Sequence, residues 1–217
     1  EKDVKELREG GYLATDITHR LPTKNQVIPT PEPGKRVVFI PHFLHRLGFP
    51  LHPFVRGLMF YYRLDFHDLA PNSFLHISTF IVICEVLLRI PSHFGLCLKV
   101  FNVKPKVVDG EHADCRGAMV SKLLNITWPK GAFVETIKIW QQEWFYITEP
   151  RGANWAATPK FRSGHPMRLA LWTNKVLYWG STDAVMMLQK RIKNIIEKDT
   201  RLTDVIQVML FRSILPY

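Results

Sequence analysis

The sequence predicts an α+β fold, in which an N-terminal helical cluster is followed by a small antiparallel sheet in the middle and by C-terminal helices. Apolar residues recur three or four positions apart through much of residues 37–104, as on the buried face of a helix. Residues 105–165 instead hold runs of β-branched and aromatic residues between turn residues, which favours strands. The helical spacing returns over residues 166–217. We therefore expect residues 37–217 to form a single α+β domain.

Residues 1–36 are expected to be an N-terminal extension and a proline-rich linker. A short amphipathic piece around Leu7 opens the chain, and prolines then occupy three of the five positions from Pro29 to Pro33. Closely spaced prolines favour an extended, polyproline-like backbone because each ring fixes φ. We expect ordered structure to begin near Arg36.

Four helices are expected in the helical half, residues 37–104, and a proline or a serine marks where each begins. Proline suits a first helical turn because its missing N–H would have no partner there, and a serine side chain accepts a first-turn N–H. The expected starts are Pro41, Pro53, Pro71 and Ser92. Gly48 ends the first helix, because glycine adopts the left-handed conformation at a helix end. The third helix extends to about Leu88, before Pro91.

The strand-rich part, residues 105–165, contains three candidate strands at 117–123, 133–140 and 143–148. The segment Trp144-Phe145-Tyr146-Ile147 carries the strongest strand pattern. Residues 133–142 are also compatible with a helix. We expect a loop around residues 153–166.

Three helices are expected in the C-terminal part, residues 166–217. The first runs to about Val176, and the last runs from Thr203 to about Ser213. The second is the clearest, since Ser181 or Thr182 can cap it and one apolar stripe follows at helical spacing. The stripe consists of Val185, Leu188, Ile192, Ile195 and Ile196. Met186 and Met187 fall on its otherwise polar side, where they are candidates for contact with a partner.

The chain is basic, which favours an anionic partner such as nucleic acid. Its 217 residues include 29 Lys and Arg against 19 Asp and Glu, for a net charge of +10. The excess is spread over both halves and forms no basic tail, so a solvated cationic surface is the simpler interpretation. A nucleic-acid site would combine the aromatic run at residues 144–146 with nearby cations. Those cations are Lys122, Lys130, Lys138 and Arg151. The alternative is that these aromatic rings fill the core of the sheet.

The three cysteines are too few and too odd in number for a disulfide framework. No apolar leader segment opens the sequence, so we expect an intracellular protein of the cytoplasm or nucleus rather than a secreted one. The most apolar window, residues 74–90, contains His76, Glu85 and Arg89 and is expected to be a core helix rather than a membrane span.

The sequence offers no catalytic motif, and we predict neither catalytic residues nor a cofactor. Phosphate-binding, dinucleotide-binding, serine-hydrolase, zinc-protease and aspartic-protease patterns are all missing. The strongest metal alternative is a zinc ion held by two His and Cys pairs, but their spacing matches no standard zinc module, so we predict no metal. The residues concerned are His93, Cys97, His112 and Cys115. In the segment Asp65-Phe66-His67-Asp68, carboxylates flank an imidazole that could do acid–base work, although helix capping by Asp68 or a neighbour is the simpler interpretation.

Several phrases together resemble the gypsy-type transposon domain of plant LTR retrotransposon polyproteins, over about residues 7–217. They are Ile28-Pro29-Thr30-Pro31, Gly48-Phe49-Pro50-Leu51-His52-Pro53-Phe54, Asp65-Phe66-His67-Asp68-Leu69-Ala70-Pro71-Asn72, His93-Phe94-Gly95-Leu96, Phe101-Asn102-Val103-Lys104-Pro105, Trp144-Phe145-Tyr146-Ile147 and Val208-Met209-Leu210. The chain departs from the family at Cys97, where the family tends to carry tryptophan, and at Arg116, where glycine is usual.

The resemblance implies a gag-side structural region without an established reaction, and it supplies no active-site residue. We therefore predict a non-enzymatic structural or assembly module that acts by protein–protein contact, with weak RNA association. Its expected partners are other copies of the polyprotein or host proteins, with no membrane and no small-molecule substrate. The alternative is a nucleic-acid-binding module that uses a diffuse basic surface and exposed aromatic residues.

Overall fold

The computed structural model describes residues 2–27, 29–30, 32–62, 64–105, 107–108, 111–112, 118–124, 126–129, 140–148 and 182–198. Helices lie at both ends of the fold and strands lie between them, which confirms the predicted α+β class. The helices in these ranges are α1 (Lys2–Glu9), α2 (Ile40–Leu44), α3 (Pro53–Tyr62), α4 (Pro71–Val82), α5 (Phe94–Val100) and α6 (Thr182–Lys198). The strands are β1 (Thr18–Arg20), β2 (Lys35–Phe39), β3 (Phe101–Pro105), β4 (Val107–Val108), β5 (Glu111–His112), β6 (Ala118–Lys122) and β7 (Trp144–Thr148).

The main sheet is antiparallel, with β7 between β1 and β2. Successive side chains of a strand point to opposite faces, so β7 contributes to two apolar layers. Phe145 and Ile147 join the main core, whereas Trp144 and Tyr146 join Val37, Phe39 and Trp140 in a smaller cluster on the other face. All four residues of this part of β7 are buried. The prediction that these aromatic rings fill the core is therefore confirmed.

A second antiparallel ladder joins β3 to β6, and a two-residue ladder joins β4 to β5. The predicted strands at 117–123 and 143–148 correspond to β6 and β7 and are confirmed. Strand β6 lies against α4, where the backbone N–H of Val120 donates a hydrogen bond to Ser73 Oγ at 3.1 Å. This bond attaches the ladder to the helical half.

The N-terminal segment belongs to the folded core, so the expectation that order begins near Arg36 is wrong. Val4 and Leu7, three residues apart on one face of α1, are buried in the main core. The Arg8 guanidinium donates hydrogen bonds of 3.1 Å to the carbonyls of Ala14 and Thr15, which fixes the chain that leads into β1. A local interpretation of the sequence missed the burial of Val4 and Leu7, because the core in which they pack is built from distant parts of the chain. The grouping of residues 37–217 into one domain stays a prediction.

In the helical half, two of the helices begin at the prolines from which they were predicted to begin. Helices α3 and α4 begin at Pro53 and Pro71 as predicted, and α4 continues through a π-helical turn, Ile83–Leu87, to the predicted end near Leu88. Helix α2 is shorter than expected and ends at Leu44.

The cap of α5 differs from the prediction. His93 caps this helix, because its Nδ1 accepts a hydrogen bond from the Leu96 N–H at 3.2 Å. The predicted cap, Ser92, instead donates its hydroxyl hydrogen to Glu85, at 2.7 Å.

Helix α6 has the predicted amphipathic pattern. Val185 and Ile192 are buried, and Leu188, Ile195 and Ile196 pack partly buried against the same core. The polar side of the helix is exposed and includes Met186 and Met187. The expected helices at 166–176 and 203–213, the loop at 153–166 and most of the strand at 133–140 lie outside the described residues. Among the residues described, no helix combines the length and the apolar composition needed to cross a bilayer.

Candidate functional site

Three side chains of the kinds used in catalysis meet at one side of the helical half: His52, Glu85 and Ser92. His52 Nδ1 accepts a hydrogen bond from the Phe54 N–H at 3.2 Å, so the other ring nitrogen carries the hydrogen in the neutral imidazole. That nitrogen, Nε2, donates to Glu85 Oε2 at 3.2 Å. Ser92 donates to Glu85 Oε1 from its hydroxyl, at 2.7 Å, and from its backbone N–H, at 3.3 Å.

The local backbone explains how Glu85 reaches both partners. Glu85 lies in the π-helical turn after α4, where Ile83 and Cys84 are buried while Glu85 is exposed. His52 precedes α3 and Ser92 precedes α5, so the carboxylate links the starts of two helices to the end of a third. Single π turns of this kind recur at functional sites, which makes the cluster the first candidate for chemistry in the described residues.

The order of the hydrogen bonds does not suit nucleophilic catalysis. A catalytic serine donates its proton to a histidine, and an acid then orients that histidine from its far side. Here the acid is central, and Ser92 and His52 each bind it separately. The Ser92 hydroxyl thus donates to a carboxylate and not to the His52 imidazole, which is the base of a catalytic triad. The cluster therefore joins three segments of the fold.

A small pocket adjoins His52, between residues 46–55 and α4. Its lining is mostly apolar and consists of Arg46, Leu47, Gly48, Pro50, Leu51, His52, Val55, Phe74, Ser78 and Ile81. Most of the segment Gly48–Phe54 thus forms one wall of the pocket. Phe49 from the same phrase is fully buried, with its ring centroid 5.8 Å from that of Phe43 and 5.5 Å from that of Phe66. The phrase is explained by packing rather than by polar chemistry.

The residues of the zinc alternative are not brought together in the described part of the chain. His93 Nδ1 already accepts the hydrogen bond that caps α5, and Cys97 is buried. Burial raises the pKa of the Cys97 thiol, which opposes the thiolate form that binds metal. Cys115 and the side chain of His112 lie outside the described residues. Among the residues described, no group of three or more metal-binding side chains is present.

The aspartates of the Asp65–Asp68 segment serve a local turn. Asp68 Oδ2 accepts a hydrogen bond from the Asp65 N–H at 2.7 Å and closes the 3-10 turn Phe66–Asp68. Helix α4 begins at Pro71, three residues after Asp68, and its cap residue is Ala70, so the prediction that this segment caps the following helix is wrong. Pro71 in the first turn has no N–H to satisfy, and a side-chain cap is less needed. The side chain of His67 lies outside the described residues.

His42 and His45 are buried in the core and His76 is partly buried beside it, and none of the three was predicted to act in a site. His42 Nε2 donates to the Leu69 carbonyl at 3.0 Å, and His45 Nδ1 donates to the Pro41 carbonyl at 3.0 Å. Burial lowers the pKa of His45, and it lowers the pKa of His76 to about 4. Both are therefore neutral at pH 7. Three-residue spacing of His42 and His45 on an otherwise apolar helix is the signal that could have identified the first two.

Of the predicted nucleic-acid residues, the structure describes Lys122. It is exposed at the end of β6, where its ammonium group donates to the Ile126 carbonyl at 3.3 Å. Lys130, Lys138 and Arg151 lie outside the described residues. The aromatic run that would have accompanied them is buried, so the bases of a nucleic acid cannot stack on it.

Comparison with known proteins gives one family. Residues 37–105 match the family model described as "putative gypsy type transposon". The matched segment extends from β2 through the four following helices to the end of β3, and it includes the pocket wall and the cluster around Glu85. The resemblance found in the sequence is thereby confirmed as a gypsy-type transposon domain over this segment. No curated protein and no solved structure matches the chain.

Proposed function

We propose that this chain is a non-enzymatic structural and assembly module from the gag side of a gypsy-type retrotransposon polyprotein. The family match over residues 37–105 supports a role related to retrotransposons. The assignment to the gag side, the origin in a plant LTR element and the location in the cytoplasm or nucleus belong to the proposal. Its partners are other copies of the polyprotein or host proteins.

An exposed aromatic residue within the matched segment carries the proposal. Phe60 is 65% exposed on α3. Pro53 and Gly57, seven and three residues earlier, are exposed on the same side of this helix. A Cβ built on Gly57 meets no atom within 4 Å, so the backbone there is open to close approach. An aromatic ring beside an accessible backbone suits protein–protein contact, because buried aromatic anchors dominate interface energetics.

The use of the polar side chains supports a structural role. Glu85, Asp68 and His93 each accept a hydrogen bond from a backbone N–H, and in doing so they hold loops and helix ends in place. A catalytic group needs to be free to reach a substrate atom in a suitable protonation state. These groups are committed to the fold instead.

Weak RNA association is the second part of the proposal. The net charge of +10 supports it, because the phosphate backbone attracts a cationic surface without regard to sequence. A dedicated nucleic-acid-binding module remains the alternative. Salt separates the two roles, since phosphate contacts weaken steeply with salt and apolar self-association does not.

Light scattering of the wild-type chain and of two variants tests the assembly role. We expect a concentration-dependent mass above the 25.3 kDa of one chain. Phe60→Ser should weaken self-association by about tenfold or more, because burial of one phenylalanine contributes about 1.5–3 kcal/mol. Leu124→Ser is the matched control, because Leu124 is 97% exposed but lies outside the matched segment. A wild-type mass of one chain at every concentration would refute self-assembly, and equal weakening by both variants would refute the role of α3.

A further inference from the structure

The outer face of α6 is a well-defined surface, because the buried stripe fixes the rotation of the helix. Val185 and Ile192 are buried, and the remaining stripe residues are partly buried against the core. Helix α6 lies against α5 along this side. The opposite side is exposed to solvent and carries the basic residues Lys190, Arg191, Lys193 and Lys198.

Positive charge is concentrated in the last turns of α6. Residues 190–198 hold those four basic residues and one acidic residue, Glu197. Glu197 forms an ion pair with Lys193 at 3.7 Å and accepts a hydrogen bond from the Thr127 hydroxyl at 3.4 Å. The other acidic residue of the helix, Asp183, lies about 22 Å from Lys198 along the axis at 1.5 Å per residue. This part of the helix therefore presents a net positive field.

Lys122 extends the basic surface beyond the helix. Its ammonium group binds the carbonyl of Ile126, and the next residue, Thr127, binds Glu197 of α6. These two contacts bring the end of β6 to the C-terminal part of α6, although the two segments are about 70 residues apart in the chain. Lys122 therefore lies close to the part of α6 that carries the four exposed basic residues.

Two exposed methionines adjoin the cations. Met186 and Met187 are 50% and 68% exposed and precede Lys190 by about one helical turn. Methionine side chains are flexible and polarisable, and they make favourable contacts with aromatic ring systems. Unstacked bases of a single strand can reach such side chains, whereas the bases of a duplex are stacked inside it.

From these observations we infer that the outer face of α6, together with Lys122, is a binding site for single-stranded RNA. The cations contact consecutive phosphates, and Met186 and Met187 contact unstacked bases without reading their sequence. This inference rests on the weak RNA association proposed above and gives it a location. The outer face of α6, and not the buried aromatic run of β7, is then the surface that contacts the bases.

Fluorescence anisotropy with a labelled, unstructured oligouridine tests the site. We expect the wild-type chain to bind at about 50 mM salt and to lose affinity steeply towards about 200 mM. The variant Lys190→Gln/Arg191→Gln/Lys193→Gln should bind about tenfold or more weakly, and its slope of log affinity against log salt should fall by about 2, since each phosphate contact on a single strand contributes about 0.7. Met186→Ser/Met187→Ser should weaken binding without changing the slope.

A charge-matched control separates the site from general electrostatics. Lys2→Gln/Lys5→Gln/Lys24→Gln removes the same three charges from exposed positions near the N-terminus. This control should bind almost like the wild type. Unfolding by heat checks that every variant is folded, as expected for exposed positions.

Each other outcome rejects a stated part of the inference. If the two triple variants weaken binding equally, the α6 site is wrong but diffuse RNA association stands. If the wild-type chain does not bind the oligouridine at about 50 mM salt, RNA association is wrong as well. Equal binding of a duplex RNA competitor refutes the role of unstacked bases. Preferential binding to vesicles that contain phosphatidylserine would identify the surface as a membrane contact and overturn the inference.

Discussion

The hydroxyl group of Tyr146 donates a hydrogen bond to the backbone carbonyl of Thr30 at 2.7 Å and accepts one from the Thr30 N–H at 3.1 Å. The same oxygen accepts a hydrogen bond of 2.7 Å from the Gln26 amide. The Arg20 guanidinium lies 4.3 Å from the ring centroid, and it forms an ion pair with Glu32. Tyr146, in the central strand, thus holds the proline-rich segment against the sheet.

Tyr146→Phe should destabilise the protein by about 1–3 kcal/mol, because the Thr30 backbone groups lose their partner in a partly buried position. Urea unfolding followed by circular dichroism measures this change. Tyr61→Phe is the control, since no described residue forms a hydrogen bond with that hydroxyl, and it should change stability by less than about 0.5 kcal/mol. Equal effects of the two variants would show that the proline-rich segment is not held by Tyr146.

Stability should fall between pH 6.5 and pH 4 because the folded protein holds His45 and His76 in the neutral form. In the unfolded chain a histidine takes up a proton near pH 6.5, whereas burial lowers the pKa of His76 to about 4 and also lowers that of His45. In this pH window the unfolded state binds more protons than the folded state. The free energy of unfolding is therefore highest above pH 6.5 and decreases as the pH falls. His76 alone accounts for up to about 3 kcal/mol.

His76→Phe provides the matched test of this pH dependence. Its ring replaces an imidazole whose centroid lies 5.7 Å from that of Phe101. Urea unfolding at about pH 7 and about pH 5 should show a smaller loss of stability in the variant than in the wild type. Glu32, whose pKa is lowered by its hydrogen bond to Lys35 and by Arg20, is present in both proteins, so its contribution cancels in this comparison. An unchanged loss would mean that His76 is not protonated on unfolding.

Cys84 and Cys97 should be unreactive in the folded protein. Both are buried, and burial raises the pKa of the Cys84 thiol to about 12 and also raises that of Cys97. In a Cys115→Ser variant, Ellman's reagent should therefore react with neither thiol before denaturation and with both afterwards, because the thiolate is the reactive form. Rapid reaction of either thiol in the native protein would contradict the burial of that cysteine.

Shortening a side chain should affect protein stability differently on the two sides of α6. Ile192→Ala removes a side chain that is 1% exposed and should cost about 2–5 kcal/mol of stability. Met187→Ala, on the outer face, should change stability by less than about 0.5 kcal/mol. Thermal unfolding of both variants measures the contrast. Similar effects would indicate that α6 does not pack through the stripe.

Local patterns predicted the helices and the central strand well. Pro53 and Pro71 begin α3 and α4 because proline in a first turn acts within its own segment, and the stripe of α6 depends on spacing alone. The partners of β7 could not be predicted in this way, since Lys35 pairs with Thr148 more than a hundred residues later. The proline-rich segment was misjudged for the same reason, because the hydroxyl that holds it belongs to Tyr146.

The candidate site illustrates the same difference between local and distant contacts. Glu85 was identified only as a charge within an apolar window, and nothing near it in the sequence indicates His52 or Ser92 as partners. The cluster exists because the π-helical turn exposes Glu85 where two other segments begin. Lys122 was identified from its charge, whereas its position beside α6 depends on Thr127 and Glu197. Contacts of this kind require the fold.

If the chain acts by assembly, its mass in solution must exceed the mass of one chain. Sedimentation equilibrium of the wild-type chain, over a range of concentrations, should be measured at about 50 mM and about 500 mM salt. Because salt screens charges but does not weaken apolar contacts, the mass should rise above 25.3 kDa with concentration at both salt levels. A mass of 25.3 kDa at every concentration in both buffers would contradict it.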